Sequence, residues 1–65
     1  MKAKYFTHCY VSENSIMSLQ HVFQSTTRND MLFILNNALE TKQFDVINVY
    51  DTEGNCLINV KDGIL

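Results

Sequence analysis

Residues 27–43 have the sequence TRNDMLFILNNALETKQ, which predicts the one helix of the chain. At about 3.6 residues per turn, its large apolar side chains fall on one stripe and its amides and carboxylates fall opposite. The apolar stripe holds Met31, Leu32, Leu35, Ala38 and Leu39, and the polar side holds Asn29, Asp30, Asn36, Asn37 and Glu40. Burying each large apolar side chain stabilises the fold by roughly 1.5–3 kcal/mol. We therefore expect this helix to cover one face of a sheet.

Both ends of the predicted helix carry suitable residues. Thr27 precedes the run and Asp30 follows three residues later, an arrangement that resembles a capping box. Asp30 also places negative charge near the positive end of the helix dipole, and Lys42 lies near the negative end.

The segments around the helix have strand composition. Residues 3–11 combine aromatics, Thr and Val, and residues 12–15 form a polar break. Residues 44–51 and 55–61 are rich in Val and Ile. Between them, DTEG at 51–54 predicts a type I turn with Gly54 in the left-handed bulge position.

The apolar side chains of residues 16–25 fit both the helical period and the strand period. As a helix they place Ile16, Leu19, Val22 and Phe23 on one face, and as a strand they alternate. A strand is favoured because the cap at Thr27 follows closely and no Gly or Pro marks a helix end. The predicted fold is α+β in the order ββαββ, with two antiparallel hairpins and one helix packed on one sheet face. The alternative is βααββ, with 16–25 helical.

The turn at 51–54 predicts a register for the second hairpin, with Tyr50 opposite Cys56 and Val46 opposite Val60. Two faces follow from this register. The face predicted to lie under the helix holds Phe44, Val46, Tyr50, Cys56, Ile58 and Val60, interrupted by Asn48. The opposite face has an apolar centre of Ile47, Val49 and Leu57, and a single helix leaves it uncovered.

Two sets of residues are predicted to bind a partner. Ile47, Val49 and Leu57 form the first, because contiguous apolar side chains on an open sheet face often mark an interface. The alternative is that the first hairpin, or Ile64 and Leu65, covers this patch. The second set lies on the polar side of the helix and holds Phe33, a bulky and rigid anchor, with Asn37 and Glu40.

Size and composition narrow the classes of function. The chain has 65 residues, which form a single small domain with a thin stability margin, so a partner subunit is a common solution. Its net charge is −2 and its five Lys and Arg residues are scattered, which argues against nucleic-acid binding. No secretory leader or apolar run of membrane-spanning length is present in the sequence, so a cytoplasmic soluble protein without membrane association is expected.

Candidate chemistry is sparse. His8, Cys9, His21 and Cys56 lack the spacing of zinc ligands, and His8 and Cys9 point to opposite faces of a strand. We therefore expect both cysteines to be small buried side chains, and we expect no metal, no cofactor and no catalytic site. The aromatic residues Tyr5, Phe6 and Tyr10 are expected to pack in the core, because Lys and Arg do not alternate with them as in a base-stacking surface.

The functional hypothesis is a non-catalytic protein–protein interaction module that occupies a surface of a larger partner. The predicted order of elements resembles that of some very small phage-encoded inhibitors of host defence, including certain anti-CRISPR proteins. The resemblance covers the order of elements alone and implies an inhibitor or modulator. The alternative is a self-associating accessory domain that forms a homodimer.

Overall fold

Four strands and one helix make up the computed structural model, which describes residues 2–62. In chain order they are β1 (Tyr5–Glu13), β2 (Ile16–Ser25), α1 (Arg28–Thr41), β3 (Val46–Tyr50) and β4 (Cys56–Lys61). The strands form one antiparallel sheet in the order β2-β1-β3-β4, so β2 and β4 are the edge strands. The α+β class is confirmed, with four antiparallel strands and one helix. Residues 16–25 are a strand, so the helical alternative is not adopted.

The helix has the predicted N-cap at Thr27 and a C-cap at Lys42 that the sequence interpretation did not include. The Asp30 backbone N–H donates to the Thr27 hydroxyl oxygen at 3.2 Å, which satisfies one of the free donors of the first turn. At the other end, Lys42 adopts a left-handed conformation with φ of 55°, and its N–H donates to the Leu39 carbonyl. Lys42 thus ends the helix as glycine commonly does.

The core lies between α1 and one face of the sheet. The predicted helical stripe is confirmed, with Met31, Leu35 and Ala38 buried and Leu32 and Leu39 partly buried. Beneath the helix the sheet contributes small or β-branched side chains. These are Thr7 and Cys9 of β1, Ile47 and Val49 of β3, and Val60 of β4. We call this side of the sheet the covered face. It also includes the cross-strand partners of these five residues.

The predicted orientation of the second hairpin is wrong. The turn has the expected geometry, and Tyr50 pairs with Cys56, but a β-bulge follows at once. Leu57 is the extra residue, so Val49 pairs with Ile58 and Ile47 pairs with Val60. A strand alternates its side chains with a period of two, so one extra residue moves the rest of β4 to the other face. Ile58 and Val60 thus share a face with Ile47 and Val49, and the helix covers this face and not that of Val46 and Tyr50.

Each hairpin has a distinct turn. At the β3–β4 turn Gly54 has φ of 84°, and the Asp51 carboxylate accepts from the N–H groups of Glu53 and Asn55, both at 2.9 Å. These bonds, the one from Asn55 above all, lower the pKa of Asp51. At the β1–β2 turn Asn14 and Ser15 both have positive φ, as a two-residue type I′ hairpin requires.

Among residues 2–62, no helix combines the length and the apolar composition needed to cross a membrane. The suggested folding back of Ile64 and Leu65 lies outside the described residues.

Candidate interaction surface

The face of the sheet turned away from α1 is not covered by any other element in residues 2–62. Cross-strand partners share a face, so the pairings define its members. We call it the open face. It comprises Phe6, His8, Tyr10 and Ser12 of β1, Met17, Leu19, Val22 and Gln24 of β2, Val46, Asn48 and Tyr50 of β3, and Cys56, Asn59 and Lys61 of β4.

A network of aromatic and amide side chains occupies the centre of the open face. The rings of His8 and Tyr50 meet edge to face with their centroids 4.9 Å apart. The Tyr10 hydroxyl lies 3.4 Å from His8 Nδ1, and Asn48 Nδ2 donates to the Tyr50 hydroxyl at 3.1 Å. Asn59 in turn donates to the Asn48 side-chain oxygen. These contacts already restrict the rotamers of the side chains in the free protein. Binding a partner would therefore cost less side-chain conformational entropy.

Tyr10 remains a neutral hydroxyl within this network. Burial raises its pKa, and the neighbouring Tyr50 raises it further through charge and hydrogen bonding. At neutral pH the phenol is therefore protonated and can both donate and accept a hydrogen bond. Tyr10 thus contributes an uncharged polar atom to the centre of the open face.

Apolar side chains continue the open face across β2. Met17, Leu19 and Val22 are each close to half exposed. The solvent face of an antiparallel sheet is ordinarily polar. Here, among the strand positions of the open face, only Lys61 carries a formal charge. Interface centres show this composition, rich in aromatic residues and methionine and poor in charge.

A hollow of about 640 Å³ lies at the end of the open face nearest the start of β3. Met17, Val46 and Asn59 line part of it, and Asp45 and Asp62 line it as well. Asp45 is held in place because its carboxylate accepts from the Ser12 N–H at 2.6 Å. The hollow is large enough to take a protruding side chain of another protein.

Two of the predicted partner-binding residues are in the core. Ile47 is 2 % exposed and Val49 is fully buried, so the prediction that they lie on an uncovered face is wrong. The reason is the pairing of β3 with β1, which places Ile47 beside Cys9 and Val49 beside Thr7 under the helix, and the bulge at Leu57 brings Ile58 and Val60 to the same side. Leu57 itself is 48 % exposed and lies in a hollow beside Tyr5 and the residues that precede β1.

The predicted residues of the helix are at the surface. Phe33 is 67 % exposed, and Asn37 and Glu40 are also exposed. Phe33 and Asn37 lie on the side of α1 that faces β2, since each lines a hollow shared with β2 residues. They stand on the opposite side of the sheet from the open face, so the predicted residues do not form one surface.

The sequence interpretation missed the open-face residues of β1 and β3. Tyr5 packs partly against the core as expected, but Phe6 and Tyr10 lie on the open face, so their predicted core packing is wrong. The signal was present in the alternation of β1. Thr7 and Cys9 are small enough to lie beneath a helix, whereas their neighbours His8 and Tyr10 are bulky and polar.

The cysteines are free and lie on opposite faces. Cys9 is buried as predicted, and burial raises the pKa of its thiol, which keeps it in the unreactive protonated form. Its cross-strand partner is His21, which stacks on Phe23. Cys56 is exposed, so its predicted burial is wrong. Residues 2–62 contain no cluster of three or more His, Cys, Asp and Glu side chains arranged to hold a metal ion.

Comparisons of the chain with protein-family models, curated proteins and solved structures found no match.

Proposed function

We propose that the protein is a non-catalytic interaction module that binds a larger protein through the open face. The observation that supports this most strongly is the composition of that face. Aromatic, aliphatic and amide side chains occupy a sheet surface on which polar and charged residues are ordinarily found. Contact with an apolar surface of a partner would remove this area from water.

Tyr50 and its neighbours are the proposed centre of the contact. They lie on the two central strands, and surrounding side chains limit the motion of their rings. Tyrosine is among the residues that contribute most at interface centres, because it buries a large area and keeps a hydrogen-bonding hydroxyl. Met17, Leu19 and Val46 extend the apolar area around it, and the adjoining hollow would accept a side chain of the partner.

A protein that binds in this way acts by covering a surface of its partner. A module that covers a surface of a larger protein blocks whatever else would bind there, so the proposal includes an inhibitor or modulator. A phage-encoded inhibitor of host defence is one example of such a protein.

The test compares three variants with the wild-type chain in affinity capture from a lysate, followed by titration against the captured protein. Tyr50→Lys places a charge at the centre of the open face and should weaken binding at least tenfold, about 1.4 kcal/mol. Asn36→Lys is the matched control, because Asn36 is exposed on the helix, away from the open face. Phe33→Asp tests the helix surface and should leave affinity unchanged.

Cys56 provides an independent readout, since it is the exposed thiol of the open face. In the complex its alkylation should be slowed relative to the free protein. Unchanged affinity of Tyr50→Lys together with unprotected Cys56 would disprove the proposal. Loss of binding in Phe33→Asp alone would move the contact to the helix.

A further inference from the structure

The second half of the edge strand β2, after its bulge at Gln20, is unprotected against pairing with another strand. Strand β2 is the longest strand of the sheet, with ten residues, and no strand among residues 2–62 pairs with its outer side. Natural proteins guard such edges with charged residues, proline or very short strands. Residues 16–25 contain no Asp, Glu, Lys, Arg or Pro. The other edge strand, β4, is shorter, has the bulge at Leu57 and ends at Lys61.

One part of β2 is regular enough to accept a partner strand. The register between β1 and β2 shifts at Gln20, which is the extra residue of a bulge. After it, His21–Ser25 pair with β1 without interruption. The Ser25 carbonyl accepts from the Lys4 N–H at 2.9 Å, so Ser25 directs its backbone groups toward β1. Because direction alternates along a strand, Phe23 does the same, and Val22 and Gln24 direct their N–H and C=O groups outward.

We propose that two copies of this chain pair antiparallel through their β2 strands, with Phe23 on the two-fold axis, to form a continuous eight-stranded sheet. In this register Val22 of one copy lies opposite Gln24 of the other. The outward N–H and C=O groups of these two residues then form hydrogen bonds across the axis. The proposal uses the edge of the sheet and is independent of the function proposed for the open face.

The charge pattern selects a second copy as the occupant of this edge. In this register Phe23 meets its own counterpart on the axis and Val22 meets Gln24, so a segment without charged residues pairs with itself without like-charge repulsion. The charged residues make up 18 % of the chain, yet none occurs in the ten residues of β2. A partner that recognised this edge by charge would require charged residues on β2.

The covered side of the sheet has an apolar groove at the same edge. Phe23, Ile34, Ala38 and Phe44 line a hollow of about 290 Å³ between β2 and α1. Phe33 stands beside it and is 67 % exposed. Of these residues, Phe23 and Phe33 are the exposed aromatic side chains at the β2 edge.

The geometry of the pair brings the two helices within contact distance. Cross-strand partners share a face, so both helices lie on the same side of the joined sheet. Each helix packs against β1 and β2 of its own copy, so its axis lies between these two strands. With strands about 4.8 Å apart, the two helix axes lie roughly 10 Å from each other. Helices in direct contact lie about 8–10 Å apart, so Phe33 of each copy would lie at the contact between them.

The first test is the mass of the protein in solution. Sedimentation at several concentrations should give twice the 7.5 kDa of the chain at high concentration. Phe23→Lys places two charges on the axis and should yield a folded monomer. Val22→Pro removes an outward N–H that β1 does not use and should also give a monomer, even if the first variant fails to fold. Asn59→Lys, on the other edge strand, is the matched control and should remain a dimer.

The second test captures the register covalently. The two copies of residue 23 would form a pair without mutual hydrogen bonds, with Cα atoms about 4.5 Å apart, which suits a disulfide. In a Cys56→Ser background, Phe23→Cys should give a covalent dimer when diamide is added, and Gln24→Cys should not. A wild-type chain that is monomeric at millimolar concentration, or a dimer that persists in both Phe23→Lys and Val22→Pro, would overturn the proposal. Loss of the dimer only in Tyr50→Lys would place self-association on the open face instead.

Discussion

The two faces of the sheet use different kinds of side chain for different purposes. The covered face presents small and β-branched residues such as Cys9, Ile47 and Val49, which are almost wholly buried beneath α1. The open face presents larger rings and amides, and its members contact one another laterally through bonds such as that between Asn48 and Tyr50. No element among residues 2–62 lies over the open face, so its bulky side chains are available for contacts with other molecules.

The largest difference between the faces should appear in the stability of neighbouring alanine variants. Ile47→Ala removes a side chain that is 2 % exposed under the helix and should lower the free energy of unfolding by about 2–5 kcal/mol. Val46→Ala, one residue earlier but on the open face, should lower it by less than about 1 kcal/mol. Urea denaturation measures both values.

Ile47→Val keeps the comparison measurable if Ile47→Ala does not fold, with an expected loss of about 0.5–1.5 kcal/mol. Equal losses for Val46→Ala and Ile47→Ala would contradict the assignment of the two faces.

Replacing Thr7 with valine should change the free energy of unfolding by a smaller amount and in the opposite direction. Its side chain is fully buried on the covered face, and its hydroxyl has no hydrogen-bond partner among the described residues. A buried polar group without a partner costs about 1–3 kcal/mol. The isosteric change Thr7→Val should therefore raise the free energy of unfolding by about 1 kcal/mol.

Thr7→Ser is the control, because it keeps the hydroxyl and removes a buried methyl group. It should lower the free energy of unfolding by about 1 kcal/mol. A Thr7→Val protein that is less stable than the wild type would show that the hydroxyl is satisfied in solution.

The helix was predictable from the sequence because its signals are local. Thr27 bonds to the N–H of Asp30, three residues away, and the apolar stripe follows from the helical period. The turn at Asp51 was predictable for the same reason, since the carboxylate bonds to N–H groups two and four residues later.

The orientation of the second hairpin was not predictable, because it depends on a single irregular residue. Leu57 is an ordinary strand residue by composition, and no glycine marks its bulge. Both faces of the hairpin are apolar enough to be buried, so the pattern alone could not select one. The choice is made by packing against β1, which places Ile47 beside Cys9 and Val49 beside Thr7. This is a tertiary effect, and the predicted partner-binding roles of Ile47 and Val49 depended on it.

The two cysteines provide the most direct test of which face the helix covers. Cys9 lies beneath α1 and Cys56 lies on the open face, and the chain has no other thiol. Under native conditions, titration with a thiol reagent should show one fast-reacting group, which Cys56→Ser removes, and a second group that reacts only after denaturation. Rapid reaction of both thiols, or protection of Cys56 with rapid reaction of Cys9, would contradict the assignment of the covered and open faces.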